Sequence, residues 1–234
     1  MSSPAPLNNL VWQFWHEAAP YVSHPIASGA AIVPVFYGLV VKSAQQTESP
    51  TPLMSVKEAL KGGLKASRAL SVMMGTQMIA QTHLDLLTKG MPYASLLNSM
   101  LIGAISAPAL VVFNGYSMKR SALASLKLLS LRQVAAIVYL ETSFLFSMRI
   151  TLTADDYMKN YLGDNRATSY VTSFISGAVG SLIGHPADTA VTRWQKELLV
   201  PIRVWYYGAP VKAVTLGAFS LIYKAMKEAV EKGA

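Results

Sequence analysis

Apolar residues run through this chain in six long stretches separated by short polar connections. Residues 21–41, 69–82, 91–118 and 167–187 contain no Asp, Glu, Lys or Arg. Residues 133–148 are interrupted only by Glu141, and residues 204–223 only by Lys212. A tilted helix crosses a bilayer with about 20 mostly apolar residues, and several of these stretches reach that length once their polar ends are included. The second and fourth are marginal alone. Ahead of them, residues 1–20 carry Pro4, Pro6 and then Trp12 and Trp15 one turn apart. That spacing predicts a short interfacial helix with aromatics at headgroup depth, or equally a tail docked on a partner.

The charges between the stretches set the expected topology. After the first, third and fifth come Lys42, Lys57, Lys61, Lys65 and Arg68, then Lys119, Arg120, Lys127 and Arg132, then Arg193, Lys196, Arg203 and Lys212, against only Glu48, Glu58 and Glu197. After the second and fourth, Lys89, Lys159 and Arg166 balance Asp155, Asp156 and Asp164. The positive-inside bias puts the odd connections on one side and both termini on the other, which requires six spans.

Composition points the same way. The chain is 52% apolar and 14% charged, against about 25% charged in an ordinary soluble domain, which indicates a membrane protein. No polar linker separates two cores, so a single domain over residues 1–234 is expected. The net charge of +8 suits anionic lipid better than nucleic acid, for no Arg-rich arm or aromatic RNA-binding motif accompanies it. Without cysteine, disulfides, thiolate catalysis and Cys-ligated metals are excluded. The N-terminus has neither the pattern of a secretory signal nor that of an Arg-rich transit peptide.

Proline marks an internal repeat. Pro34, Pro108 and Pro186 recur about every 75 residues, each after small residues, in SGAAIVP, IGAISAP and GSLIGHP. The units run over about 18–90, 91–163 and 164–234, behind an N-terminal extension of 1–17. The fullest copy is SFISGAVGSLIGHPADTAVTRWQ at 173–195, where Gly177, Gly180 and Gly184 thin one face before Pro186 and Asp188. Small residues a turn apart let helices approach closely in lipid, and a proline kink frees backbone groups that need partners. Pro186, Asp188, Arg193 and Gln195 resemble the signature of the mitochondrial carrier family, which reads Pro-x-acid-x-x-base-x-base-x-Gln.

The resemblance implies an all-α membrane protein: six tilted transmembrane helices in three pseudo-symmetric helix-loop-helix repeats, with short surface helices after the odd spans, of which 57–64 is the clearest. It implies the mitochondrial inner membrane, with both termini toward the intermembrane space. It also implies bound cardiolipin at Lys61 and Gly62 and at Tyr207 and Gly208, where helix starts hold phosphate. Asp85, Asp156, Lys159, Tyr223 and Lys227 match parts of the cytosolic-side network of that family.

The inner gate is where the chain departs from the pattern. The three acid positions read Phe36, Leu110 and Asp188, and the three base positions Leu39, Phe113 and Val191. A gate that has exchanged ions for oily side chains has no evident trigger for reopening, whereas alternating access needs two states only a few kcal/mol apart. The expectation is an accessory subunit of a large respiratory-chain or ATP synthase assembly, its partners being lipid and neighbouring subunits. The rival is a secondary carrier for an anionic metabolite using Arg149 and Lys212, although Arg149 also suits a structural pair with Glu141 or Asp156, and Lys212 a lipid phosphate. A third possibility is a carrier-derived insertase of the outer membrane. The sequence offers no phosphate loop or Ser-His-Asp order, and the four histidines share no metal-ligand spacing. No enzyme, cofactor or metal is expected.

Overall fold

The computed structural model describes residues 7–163 and 165–232; within them, the side chains of 7–17, 20, 145–156 and 162 lie outside the described residues. Every regular element among the described residues is helical. The long helices are α1 (Leu7–Gln46), α2 (Val56–Leu87), α3 (Ala94–Ser117), α5 (Leu131–Leu162), α6 (Arg166–Ile183) and α8 (Ala209–Lys232). Shorter pieces are α4 (Ala122–Leu126), α7 (His185–Trp194) and a 3-10 turn at Ile202–Val204.

Local chemistry sets several boundaries. Ser55 caps α2 in a reciprocal box with Glu58, the side-chain oxygen of each accepting the other's backbone N–H. The Ser55 amide, followed by its hydroxyl, holds the exposed Glu58 carboxyl below the usual carboxylate range. Asn165 caps α6, its Oδ1 accepting from the Thr168 amide at 2.8 Å. Pro186 sits in the first turn of α7, where its missing N–H costs nothing, and Asp188 follows where a helix favours a negative charge.

The long helices form a closed ring. Each packs on the next in chain order, α1 on α2, α2 on α3, α3 on α5, α5 on α6 and α6 on α8, and α8 returns to α1. At one end α1, α3 and α7 also meet one another, so the ring narrows there. Three apolar clusters fill that narrowing: Ile32, Leu39, Leu70 and Met73; Ala107, Val111, Ile137 and Val191; and Phe36, Val40 and Ala66. Leu110 packs on the first two and Phe113 on the first and third, which joins them into one plug.

Some expectations are met in part and others are corrected. Among the described residues, two helical stretches are by themselves both long and apolar enough to cross a membrane, Tyr21–Gln46 and Ala94–Ser117, where six were expected. The others dilute their hydropathy: α2 opens on four basic residues, α5 carries Arg132 and Glu141, α6 is rich in Ser and Thr, and α8 carries Lys212 and a charged last third. The extension is no separate helix, because Leu7 onward is continuous with α1. Residues 57–64 likewise belong to α2; the surface pieces are α4 and the 3-10 turn. Pro34 and Pro108 lie inside unbroken helices, and the chain is interrupted only at the third proline, where Gly184 separates α6 from α7.

Close helix approach makes one glycine sensitive and leaves another free. A Cβ on Gly177 of α6 would lie 2.6 Å from the Leu216 carbonyl oxygen of α8, whereas a Cβ on Gly75 would come no nearer than 3.6 Å to Pro25. Gly177→Ala should therefore lower stability by about 1–3 kcal/mol through overpacking. Gly75→Ala should raise it by up to about 1 kcal/mol through helix propensity. Thermal unfolding of the two variants in detergent micelles checks the opposite signs.

Candidate functional site

The narrow end of the ring is held by a buried polar cluster. Asp188, in the first turn of α7, accepts from Lys42 Nζ of α1 at 3.0 Å on Oδ2 and 3.2 Å on Oδ1. Lys212 Nζ of α8 lies 3.1 Å from the same Oδ2. Both lysines are buried, 3% and 5% exposed, so neither reaches solvent or lipid. Gln46 donates from Nε2 to Asp188 Oδ2 and to Thr189 Oγ1, both at 2.9 Å, and Thr189 donates on to the Trp205 carbonyl at 3.1 Å. The buried His185 lies 3.8 Å from Asp188 through Nδ1, and its Nε2 is 2.9 Å from the Tyr207 carbonyl. One carboxylate thus faces two ammoniums, a surplus of positive charge that amides and carbonyls surround.

A second tier of bonds lies farther along the same helices. Arg193 donates from Nη1 to the Gln46 carbonyl at 2.8 Å and to Glu48 at 3.1 Å, and from Nε to the Leu199 carbonyl at 2.5 Å. Gln195 donates to the Val111 carbonyl at 2.8 Å and accepts from Asn114 at 2.9 Å, while Asn114 also donates to Thr192 at 3.1 Å. Between α1 and α3 the link is a hydroxyl pair, Ser43 with Ser117 at 2.7 Å. Ser43, Ser117 and Gln195 each stand nine residues beyond their repeat's proline. Aligning the repeats on proline would have flagged these positions.

The cluster floors a cavity of about 170 Å³ bounded by residues from all six long helices and α7. Its walls are mainly apolar, among them Ile32, Met73, Met74, Phe144, Leu216 and Phe219. The polar exceptions are Lys42, Asn114, Ser117, Asp188 and Lys212 at the floor, and Gln77, Glu141 and Ser181 elsewhere on the lining. Gln77 bridges α2, α3 and α5, donating to Ser106 at 2.9 Å and to Glu141 at 3.1 Å.

These facts revise the reading of the gate. Phe36, Leu39 and Val191 are buried in the plug with Leu110 and Phe113, as an oily seal requires. Asp188 nevertheless keeps cationic partners, which come from outside the motif. Lys42 is one turn beyond Leu39, where the sequence suggested a loop charge, because α1 continues to Gln46. Lys212 joins the same cluster and does not reach for lipid phosphate.

Other proposed residues are dispersed. Lys61 and Gly62 lie in the second turn of α2 and not at its start; Lys61 is exposed, and Gly62 leaves room for the Phe36 ring. Gly208 does precede α8, with φ +77, but a Cβ there would stand 2.9 Å from the Lys42 carbonyl, so its close neighbour is α1. Tyr207 is partly exposed beside it. At the wide end Asp85 accepts from Gln81 at 2.6 Å and from Asn98 of α3 at 2.7 Å. Tyr223 bonds His24 of α1, Lys227 pairs with Glu231 at 3.6 Å, and Lys159 is partnered as well. The pairs at Asp85, Tyr223 and Lys227 join residues of one helix or of adjacent helices. The side chains of Arg149 and Asp156 lie outside the described residues.

Comparison with protein-family models and with curated proteins finds no match to this chain.

Removing one member of a buried ion cluster strands the others. Asp188→Asn should lower stability by about 3–5 kcal/mol, because two lysines then lack a counter-charge. Replacing all three together, Asp188→Leu with Lys42→Met and Lys212→Met, should recover most of the loss, as apolar groups substitute well for buried ions. Melting temperatures in micelles distinguish a true cluster, with recovery, from three unrelated sites, whose losses would add.

Proposed function

We propose that this chain is a six-span, carrier-like protein of the mitochondrial inner membrane that no longer transports and serves as an accessory subunit of a respiratory-chain or ATP synthase assembly, with cardiolipin among its lipids. Support for the architecture comes from the proline repeat and from the closed ring of long helices. Support for lost transport comes chiefly from one observation, the apolar plug stacked on the Asp188 cluster. Opening that end would expose Leu39, Leu110, Phe113 and Val191. At about 1.5–3 kcal/mol per side chain the cost is about 6–12 kcal/mol before any charge is moved. Inverting a two-state equilibrium from 1:99 to 99:1 takes about 5.5 kcal/mol of differential binding. A substrate would have to supply the whole of that or more. The plug favours a bundle that stays shut.

The second reading, an anion carrier, is favoured by the surplus cation at the cavity floor, where Lys42 and Lys212 outnumber Asp188. It relies on Lys212 and Arg149 as anion contacts.

Two measurements separate the readings. A subunit should migrate on native gels of gently solubilised membranes with a complex far heavier than its own 25.3 kDa, and its reconstituted form should exchange no labelled phosphate, carboxylate or nucleotide. Exchange that is lost in Lys212→Ala or Arg149→Ala, from protein migrating alone, would replace the subunit reading with the carrier.

A further inference from the structure

One row of side chains on α2 faces away from both the bundle and the cavity. Val72, Thr76, Ile79, His83 and Leu86 advance by four, three, four and three residues, so they fall in a single line along the helix. All five are exposed, Val72, Ile79 and Leu86 at 64%, 60% and 70%. Leu70, Met73, Met74 and Gln77, which line the cavity, lie on roughly the opposite side.

Two members of the row are polar and sit at hydrocarbon depth. Arg68 and Lys89 bracket residues 69–88, a stretch of about the length that crosses 30 Å of hydrocarbon. Within it, Asp85 is already held by Gln81 and Asn98, and Thr82 turns its hydroxyl back to the Met78 carbonyl at 3.1 Å. Thr76 and His83 bond no other described residue. They stand about 10 Å apart along the helix axis. A hydrogen-bonding group turned toward acyl chains is costly, because lipid tails offer it no partner.

The outer faces of other helices lack this feature. Every exposed position of α3 is apolar, Leu97, Leu101 and Ile105 among them, and so are Val171, Ile175 and Val179 of α6. Those faces suit lipid, whereas the row on α2 suits another helix. Alternation of three and four residues is the seam of left-handed helix packing in membranes, and polar side chains there bond across the contact.

We infer that the row from Val72 to Leu86 docks a membrane-spanning helix of a neighbouring subunit, one that presents hydrogen-bonding side chains about two turns apart to Thr76 and His83. The inference rests on the subunit reading above and names the face by which the chain is held. It also accounts for part of the modest hydropathy of α2, since a face covered by protein need not be wholly apolar.

The test combines photo-crosslinking in intact membranes with native gels of the gently solubilised complex. The photoreactive residue p-benzoylphenylalanine, placed singly at Val72, Ile79 or Leu86, should give one and the same protein adduct. Placed at Leu101 or Val171, it should give none. Thr76→Val with His83→Leu should lower the fraction of chain in the heavy complex about tenfold, two interhelical hydrogen bonds being lost. Thr76→Ser with His83→Gln, which keeps the bonding capacity, should retain the complex. The melting temperature of the purified apolar double variant should not fall, which separates lost docking from lost folding. No adduct from the row overturns the inference and leaves the face to lipid. An adduct of twice 25.3 kDa made only of this chain assigns the face to a second copy and overturns it too, as does an undiminished complex in the apolar double variant. Wild type migrating alone would sink the subunit reading and this inference together; a wild-type complex that the row does not crosslink sinks this inference alone.

Discussion

A single buried carboxylate organises the narrow end of this molecule. Asp188 is held at once by an ammonium from α1, an ammonium from α8 and an amide from α1, so the first and last long helices are tied through the short helix that carries it. The ring closes on itself there, for α8 packs back on α1. Burying three charges is expensive, and the expense is met only by short distances and a full set of hydrogen-bond partners. The break at Gly184 and the proline after it make this possible. They start a new helix at the point where an acidic residue is welcome in the first turn, and that turn is aimed at the axis of the bundle.

The apolar plug and the ionic cluster divide the work of sealing. Leu110 and Phe113 bridge the three core clusters and fill the axis, while the charges lie one turn beyond and fix helix positions around it. The three seams between α1, α3 and α7 differ in kind. Charge and amide join α1 to α7, amides join α3 to α7, and a pair of serine hydroxyls joins α1 to α3. A threefold pattern in the proline spacing thus carries an unequal distribution of bond strength, with the hydroxyl seam the weakest of the three.

Much of the helical frame could be read in the sequence because hydropathy, proline spacing and capping residues are local signals. The Ser55 and Glu58 pair and the Gly-His-Pro break each announce a helix boundary within a few residues. Long-range pairing was less visible. Lys42 follows an uncharged run, and charge at the end of such a run ordinarily marks the membrane edge; only the further turn to Gln46 brings it inside. Lys61 and Gly62 match a local motif, but the cap at Ser55 starts the helix two turns earlier and converts the glycine into a packing position. Asp85 and Lys227 found nearby partners in Asn98 and Glu231 that no repeat alignment anticipates. Hydropathy also overstated the uniformity of the bundle, since helices that share one ring differ widely in how apolar they are.

The length of α1 has a mechanical meaning. Its 40 residues make a rod of about 60 Å, pinned near its C-terminal end by Ser43, Gln46 and Lys42 and joined to α8 about midway through Ser23 and His24. The helix continues past Pro20, Pro25 and Pro34, so a sideways push on its first turns is passed on toward the far end. Whatever leans on the turns ahead of that joint is coupled, through the helix, to the serine seam beside the buried charges.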